Sequence, residues 1–313
     1  MINTIFGKSL ISVLDITPAE IKIIFDRTSQ MRQLVTTKGG DDRLSHRIMA
    51  ALFYEPSTRT FSSFISAMQR LGGGIIPLNG MKNTSVEKGE SFHHTVQVFS
   101  RYADCLVIRH SEAGLPKLAT NYITRPVINA GDGFGEHPTQ ALFDLYTIIE
   151  KLGHLDGLTI TLVGDLKFGR TVHSLSQLLV GLSTQVVINL VAPTQLRMPA
   201  DIIENIQKRN IKILETSNLD EVLAQTDVLY VTRVQKERFD NISEYEKLKS
   251  YYIVDKKKLK TAKKKMIIMH PLPIAAGEIQ NEVDSDPRSV YLNSQLSNGL
   301  YLRMALLDLI LNR

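Results

Sequence analysis

Ile48-Met49-Ala50-Ala51-Leu52-Phe53-Tyr54-Glu55-Pro56-Ser57-Thr58-Arg59-Thr60 passes from an unbroken apolar run into a polar turn. A six-residue apolar run without alternation reads as a strand buried on both faces. Beyond the turn, Phe61, Phe64, Ile65, Met68 and Leu71 mark one face of a helix that Gly72-Gly73-Gly74 stops. The turn therefore sets three hydroxyls and a guanidinium at a helix N-terminus. Unpaired N–H groups and the positive end of the helix dipole favour an anion there, and a phosphate fits the donor set. The plainer reading makes Ser57 or Thr58 an N-cap only. That accounts for one hydroxyl and leaves Arg59 and Thr60 unexplained.

The same unit recurs on both sides. Thr17-Pro18-Ala19-Glu20 is a capping box with proline at the first helical position, and Ile21, Ile24, Phe25, Thr28 and Met31 continue one face. Lys38 to Asp42 reads as a loop. Residues 75–78 form a strand candidate that Pro77 pushes to a sheet edge. After a polar loop over 79–89 and a helix over about 91–102, the strand 105–109 ends in Arg109-His110. Strand 127–130 empties into Gly131-Asp132-Gly133-Phe134-Gly135-Glu136-His137-Pro138-Thr139-Gln140, with a long helix beyond it.

Gly153-His154-Leu155-Asp156-Gly157 is the clearest internal break. The pattern then restarts: strand 159–163, the turn Gly164 to Arg170, a helix to 182, strand 186–191, helix 199–208, strand 211–214, helix 219–225 and strand 228–231. Strand 228–231 runs into Thr232-Arg233-Val234-Gln235-Lys236-Glu237-Arg238. Strand 266–269 runs into His270-Pro271-Leu272-Pro273, and a helix over 294–311 closes the chain. This alternation predicts parallel sheets with right-handed crossovers. The expected fold is α/β, two doubly wound parallel-sheet domains.

The composition, 43% hydrophobic and 22% charged over 313 residues, suits a globular chain of about two domains. The single cysteine, Cys105, lies in an apolar run and excludes an intrachain disulfide or a cysteine-built zinc site. The first residues lack a basic-then-apolar pattern, and no run is long enough to span a bilayer. A cytoplasmic protein without membrane contact is expected. The net charge of +5 concentrates in Lys256-Lys257-Lys258, Lys260 and Lys263-Lys264-Lys265. Few aromatics interleave and no nucleic-acid motif accompanies them, so a solvated helix face is expected there rather than nucleic-acid binding.

The strand-end turns collect Ser57, Thr58, Arg59, Thr60, Arg109, His137, Gln140, Arg170, Arg233 and Gln235. This set is cationic and hydrogen-bonding, without a metal-ligand cluster or reactive cysteine. It suits multiply anionic small molecules, handled by orientation and electrostatics. Gly164 to Gly169 is similar to a dinucleotide loop, but its three-glycine spacing is missing, which disfavours an oxidoreductase.

Ser57-Thr58-Arg59-Thr60, His137-Pro138-Thr139-Gln140 and His270-Pro271-Leu272-Pro273 together resemble the aspartate/ornithine carbamoyltransferase family. Gly164-Asp165-Leu166-Lys167-Phe168-Gly169-Arg170-Thr171-Val172-His173-Ser174 and Thr232 to Arg238 resemble its aspartate-specific branch. The resemblance holds in order from about Gly7 to the last helix. It implies transfer of the carbamoyl group of carbamoyl phosphate to L-aspartate, giving N-carbamoyl-L-aspartate and phosphate in pyrimidine biosynthesis, with no cofactor and no metal. It implies a carbamoyl-phosphate domain over 1–150, an aspartate domain over 151–293, and a last helix, 294–313, that returns to the first domain.

The family pattern further implies the roles. Ser57, Thr58, Arg59 and Thr60 hold the phosphate, and Arg109 reaches phosphate and carbonyl oxygens. His137, with Thr60 and Arg109, polarises the carbonyl. Gln140 accepts from the carbamoyl amino group, near the backbone carbonyls of Leu272 and Pro273. Ser85 and Lys88 enter from a neighbouring subunit of a homotrimer, and Lys88 also serves aspartate. Arg170 takes the α-carboxylate, while Arg233 and Gln235 select the β-carboxylate. Glu55, Arg170 and Arg238 link the domains on closure. Whether separate regulatory chains bind is left open by the sequence.

Three departures stand out. Ile274 occupies the position where the family carries arginine, and the stretch to Glu278-Ile279 is one residue longer. His93-His94 also replaces smaller or acidic residues. The ornithine branch is expected to carry Asp…Ser-Met-Gly and His-Cys-Leu-Pro, and this chain has neither. A catalytically silent scaffold is the other alternative, disfavoured by the intact polar set.

Overall fold

The structure, a computed structural model, describes residues 3–235, 239, 241–249 and 251–313. They divide into two compact units, Met1–Phe143 with Ser297–Arg313, and Asp144–Leu296.

Unit 1 is built on four parallel strands: β1 (Ile48–Phe53), β2 (Gly74–Asn79), β3 (Cys105–His110) and β4 (Val127–Asp132). Their order is β2-β1-β3-β4. The apolar runs of β1 and β3 are buried because the sheet is covered on both faces. Pro77 sits in β2, an edge strand, where its missing N–H costs no central ladder bond. Helices α1 (Pro18–Lys38), α2 (Thr58–Arg70), α3 (Phe92–Tyr102) and α4 (Leu115–Ala119) belong to this unit. The expected capping box at Thr17 and Glu20 is present.

Helix α5 (Pro138–Leu152) contains the point where the two units part. The last helix, α10 (Ser294–Leu311), is tied into unit 1 over most of its length. Asp308, fully buried, pairs with Arg27 and lies 3.0 Å from Arg43 Nη1. Arg303 Nη1 donates to Ser63 Oγ at 2.6 Å, and its guanidinium lies 5.1 Å from both the Phe64 and Phe143 rings. Gly7 N–H donates to the Ile310 carbonyl at 3.0 Å.

Unit 2 carries five parallel strands in the order β7-β6-β5-β8-β9: β5 (Thr159–Val163), β6 (Val187–Val191), β7 (Lys212–Thr216), β8 (Val228–Val231) and β9 (Ile267–Met269). Helices α6 (Arg170–Leu182), α7 (Ala200–Gln207), α8 (Asp220–Leu223) and α9 (Ile242–Leu248) complete it. A core around Val163, Leu229, Val254, Ile268 and Tyr291 lies against this sheet.

One expectation fails. The lysine run does not form a helix face: only a single 3-10 turn, Lys258–Lys260, interrupts loop structure. The cause is local. Asp255 Oδ1 accepts the Lys258 N–H at 2.7 Å, and Arg288 Nη1 takes the carbonyls of Leu259 and Lys263 at 3.1 and 3.4 Å. Both carbonyls also accept a backbone N–H three residues on, from Ala262 at 3.4 Å and Met266 at 3.2 Å, so the backbone bonds they make have the tighter 3-10 spacing and not that of an α-helix.

Candidate active site

Open α/β sheets bind ligands beyond the carboxyl ends of their strands, where the strand order reverses. In unit 1 that point is between β1 and β3, which pair with Phe53 opposite Arg109. The turn that leads into α2 leaves β1 there. Ser57 is the N-cap of α2, its hydroxyl accepting the Thr60 N–H at 3.3 Å, and its own N–H donates to Asn79 Oδ1 at 3.1 Å. Thr58 and Arg59 are exposed while Thr60 is buried. The cap reading therefore holds for Ser57.

Arg109 is 9% exposed, at the end of β3. Its Nη2 donates to Glu55 Oε1 at 2.7 Å and its Nη1 to the Ala130 carbonyl at 3.3 Å. The carboxylate fixes the fork in a direction that a flexible lysine would not keep. Next to it, His110 packs on Tyr54 and Phe92, with ring centroids 4.9 and 5.9 Å away. Its Nδ1 accepts the Glu112 N–H at 2.9 Å, and burial pushes its pKa below the ordinary value.

The turn after β4 is organised by Asp132. Its carboxylate accepts N–H groups of Gly114 and Glu136, both at 2.8 Å, and the Asn129 amide at 3.2 Å. This sets His137, 4% exposed, just before α5, where its carbonyl accepts the Gln140 and Ala141 N–H groups at 3.0 and 3.2 Å. Gln140 is 7% exposed. Ser85 and Lys88 lie exposed on the turn after β2, where the Ser85 carbonyl accepts the Lys88 and Glu90 N–H groups.

In unit 2 the order reverses between β5 and β8, with Val163 opposite Val231. Gly164 has φ +119, and a Cβ there would lie 2.1 Å from the Thr232 carbonyl oxygen. Only glycine allows the two strand-end turns to approach this closely. Asp165, fully buried, accepts the Phe168 N–H at 3.0 Å and the Gln235 N–H at 3.4 Å; Gln235 Nε2 donates to the Phe168 carbonyl at 3.1 Å. Burial raises the Asp165 carboxyl to about 6, against the opposing pull of those amides and of the Arg233 charge. Arg170 is the first residue of α6. Arg170, Arg233 and Gln235 are half-buried. Arg238 lies outside the described residues.

Beyond β9, Leu272 has φ +58 and precedes Pro273 through a cis bond. Its N–H donates to His270 Nδ1 at 2.7 Å. Glu278 accepts from the N–H groups of Ala275 and Ala276 at 3.4 and 2.9 Å. Burial alone would raise the Glu278 carboxyl, but the His270 hydrogen bond and the backbone amides hold it below its ordinary value. Ile274, where an arginine belongs to the family pattern, is half-buried against the unit 2 core together with Leu272. His93 packs on Tyr122 at 4.4 Å and lies 2.9 Å from Gln97 Nε2.

The expected residues that are described thus follow the carboxyl ends of the strands of their own unit. The supports Asp132, Asp165 and Glu278 did not figure among the expected site residues. The signal for Asp165 was present, an acid directly after a strand-end glycine. Glu278, eight residues beyond His270, had no such signal.

Residues 8–150 match the family described as aspartate/ornithine carbamoyltransferase, carbamoyl-P binding domain, and residues 156–310 match its Asp/Orn binding domain. The chain is 46% identical over 311 residues to the aspartate carbamoyltransferase catalytic subunit of Methanobrevibacter smithii, covering 99% of this chain and 97% of that one. It is 49% identical over 308 residues to the multifunctional protein pyr1-3 of Dictyostelium discoideum, of whose length it spans 14%. The crystal structure of aspartate transcarbamoylase from Trypanosoma cruzi in complex with carbamoyl phosphate and aspartate superimposes with a TM-score of 0.94. Identity is 40%, with 99% of this chain and 98% of that one covered.

Proposed function

Because this chain belongs to the aspartate/ornithine carbamoyltransferase family, we propose that it transfers the carbamoyl group of carbamoyl phosphate to L-aspartate. The products are N-carbamoyl-L-aspartate and phosphate, a step of pyrimidine biosynthesis. The observation that carries the acceptor assignment is the Arg233-Val234-Gln235 turn, pinned to Asp165 at the carboxyl end of β8. A guanidinium there suits a second carboxylate, whereas an ornithine side chain would bring a like charge to it.

The residues divide by chemistry. The backbone and side chains of Ser57, Thr58, Arg59 and Thr60 hold the phosphoryl oxygens at the start of α2. Arg109, Thr60 and His137 donate to the carbamoyl oxygen, and Gln140 accepts from the carbamoyl nitrogen, aided by the carbonyls of Leu272 and Pro273. Arg170 takes the α-carboxylate of aspartate, and Arg233 with Gln235 takes the β-carboxylate. The neutral amine adds to the carbonyl carbon, and charge builds on the oxygen facing Arg109 and His137. The C–O bond to phosphate then breaks, and the leaving phosphate takes the proton released by nitrogen. Loss of one such oxyanion donor costs on the order of 100-fold or more in turnover.

We assign the active assembly as a homotrimer in which Ser85 and Lys88 enter a neighbour's site. Its support is the exposed position of both residues on the turn after β2. Glu55, Arg170 and Arg238 take the closure role on the strength of the motif pattern. A cytoplasmic location is our reading, supported by the absence, among the described residues, of a helix long and apolar enough to cross a membrane.

The deciding experiment is phosphate release by the purified chain with carbamoyl phosphate and either L-aspartate or L-ornithine. Release with aspartate alone is expected. Release with ornithine would keep the family and overturn the roles of Arg233 and Gln235, and silence with both would overturn the activity.

A further inference from the structure

The lysine run, which the reaction does not use, is only partly neutralised by the fold. Lys258 lies 2.8 Å from Asp220, and Lys263 lies 2.7 Å from Asp227. Arg288 is held by both oxygens of Asp286, each at 2.9 Å. Asp220, Asp227 and Asp286 are thereby engaged. Lys264 and Lys265 have no ion pair among the described residues, and neither does Lys151 in the last turn of α5.

These three lysines line one cavity of about 700 Å³, within the range of small-molecule sites. The lysines are exposed at its rim, while Met266 and Val290, 1% and 5% exposed, lie at its base. Ser294, the first residue of the 18-residue helix α10, also opens onto it, and the positive end of that helix adds to the field. Three like charges around one depression repel each other, and a multivalent anion reverses the sign of that term. The apolar base suits an organic body.

We propose that this cavity binds a small organic polyphosphate as a ligand separate from the substrates of the reaction. The site stands whether or not the proposed activity holds, since it shares no residue with it.

Calorimetry with tripolyphosphate, at about 0.15 M ionic strength, tests this. The background is Arg59→Ala, so that the phosphate turn does not compete. One saturable site per chain is expected, weakened about tenfold or more by Lys264→Gln with Lys265→Gln, because charge-assisted bonds to phosphate are lost. Lys257→Gln with Lys260→Gln changes charge equally outside the cavity and should leave affinity unaltered. No saturable uptake overturns the site. So does equal weakening by both pairs, which would mark a diffuse field, or full competition by sulfate at the same ionic strength.

Discussion

His270 Nε2 lies 3.1 Å from Glu278 Oε1, with both side chains buried. Because His270 Nδ1 accepts the Leu272 N–H, the ring proton must sit on Nε2 and point at Glu278. The carboxylate therefore fixes the tautomer, and the tautomer fixes a turn whose Leu272 stands in the left-handed region. A non-glycine residue there costs about 1–2 kcal/mol and persists only when its surroundings hold it. The His270 backbone N–H donates to Gln295 Oε1, and Gln295 and Tyr230 both donate to the buried Asp144.

Glu278→Ala leaves a buried N–H without its acceptor, a loss of about 1–3 kcal/mol. Turnover is expected to fall about tenfold or more, and the Leu272 amide to exchange faster. Glu278→Gln keeps an acceptor oxygen and should recover part of the rate. Nitrogen chemical shifts of His270 report the tautomer directly. An unaltered tautomer and unaltered Leu272 exchange in Glu278→Ala would rule this support out.

Asp165 and Glu278 should make opposite contributions to stability with pH. The Asp165 pKa is raised on folding to about 6, from 3.8. The folded chain binds its proton more tightly, so this contribution is full below about pH 4 and is lost as pH rises through about 6. Glu278, lowered on folding, contributes above its unfolded value of about 4.5 and loses that contribution as pH falls through its folded one. Urea midpoints between pH 4 and 7 check this. Asp165→Asn should remove the decline toward pH 6, and a slope equal to wild type would exclude Asp165 as its source.

Two glycines of unit 2 give opposite expectations. Gly164→Ala meets both a left-handed φ and a backbone oxygen at 2.1 Å, with no flexible side chain to yield. A loss of about 3 kcal/mol or more is expected. Gly181, inside α6, has open space around its would-be Cβ. Gly181→Ala should gain about 0.5–1 kcal/mol through helix propensity. Chemical denaturation of both variants measures the contrast.

Much of this was legible because parallel strands buried on both faces leave continuous apolar runs, as in Ile48–Phe53, with polar turns at their carboxyl ends. Pro77 marked its edge strand for the same reason in reverse. The lysine run misled because lysine favours helices, while the pairing of Arg288 with distant carbonyls is invisible to local propensity. Glu278 was hidden likewise: its partners are set by a turn, not by a period. Ile274 was legible as a departure, and its packing against the unit 2 core gives a side chain of that kind a place.

Arg233→Ala should raise the KM for aspartate steeply, on the order of 100-fold for a lost charge-assisted pair, and leave carbamoyl-phosphate affinity unchanged. Arg233→Lys should recover little, because an ammonium cannot reproduce the two-pronged geometry. Steady-state kinetics with aspartate varied, beside calorimetry with carbamoyl phosphate, separates the effects. An unaffected KM would take Arg233 out of the acceptor site.

Shared sites can be tested without a structure of the assembly. Lys88 lies exposed on the turn after β2, whereas His137 is buried beside the start of α5. If Lys88 acts in a neighbour's site, Lys88→Ala and His137→Ala chains are each inactive alone, yet a mixed trimer contains a site with neither defect. Random reassembly of equal amounts makes two 2:1 hybrids, and each of these holds one such intact site of its three. Mixed samples should therefore regain on the order of a quarter of wild-type activity, because hybrids are three quarters of the trimers and a third of their sites are intact. Chains refolded separately and then combined without exchange give the baseline. Recovery no greater than that baseline would place Lys88 in its own chain's site or outside catalysis.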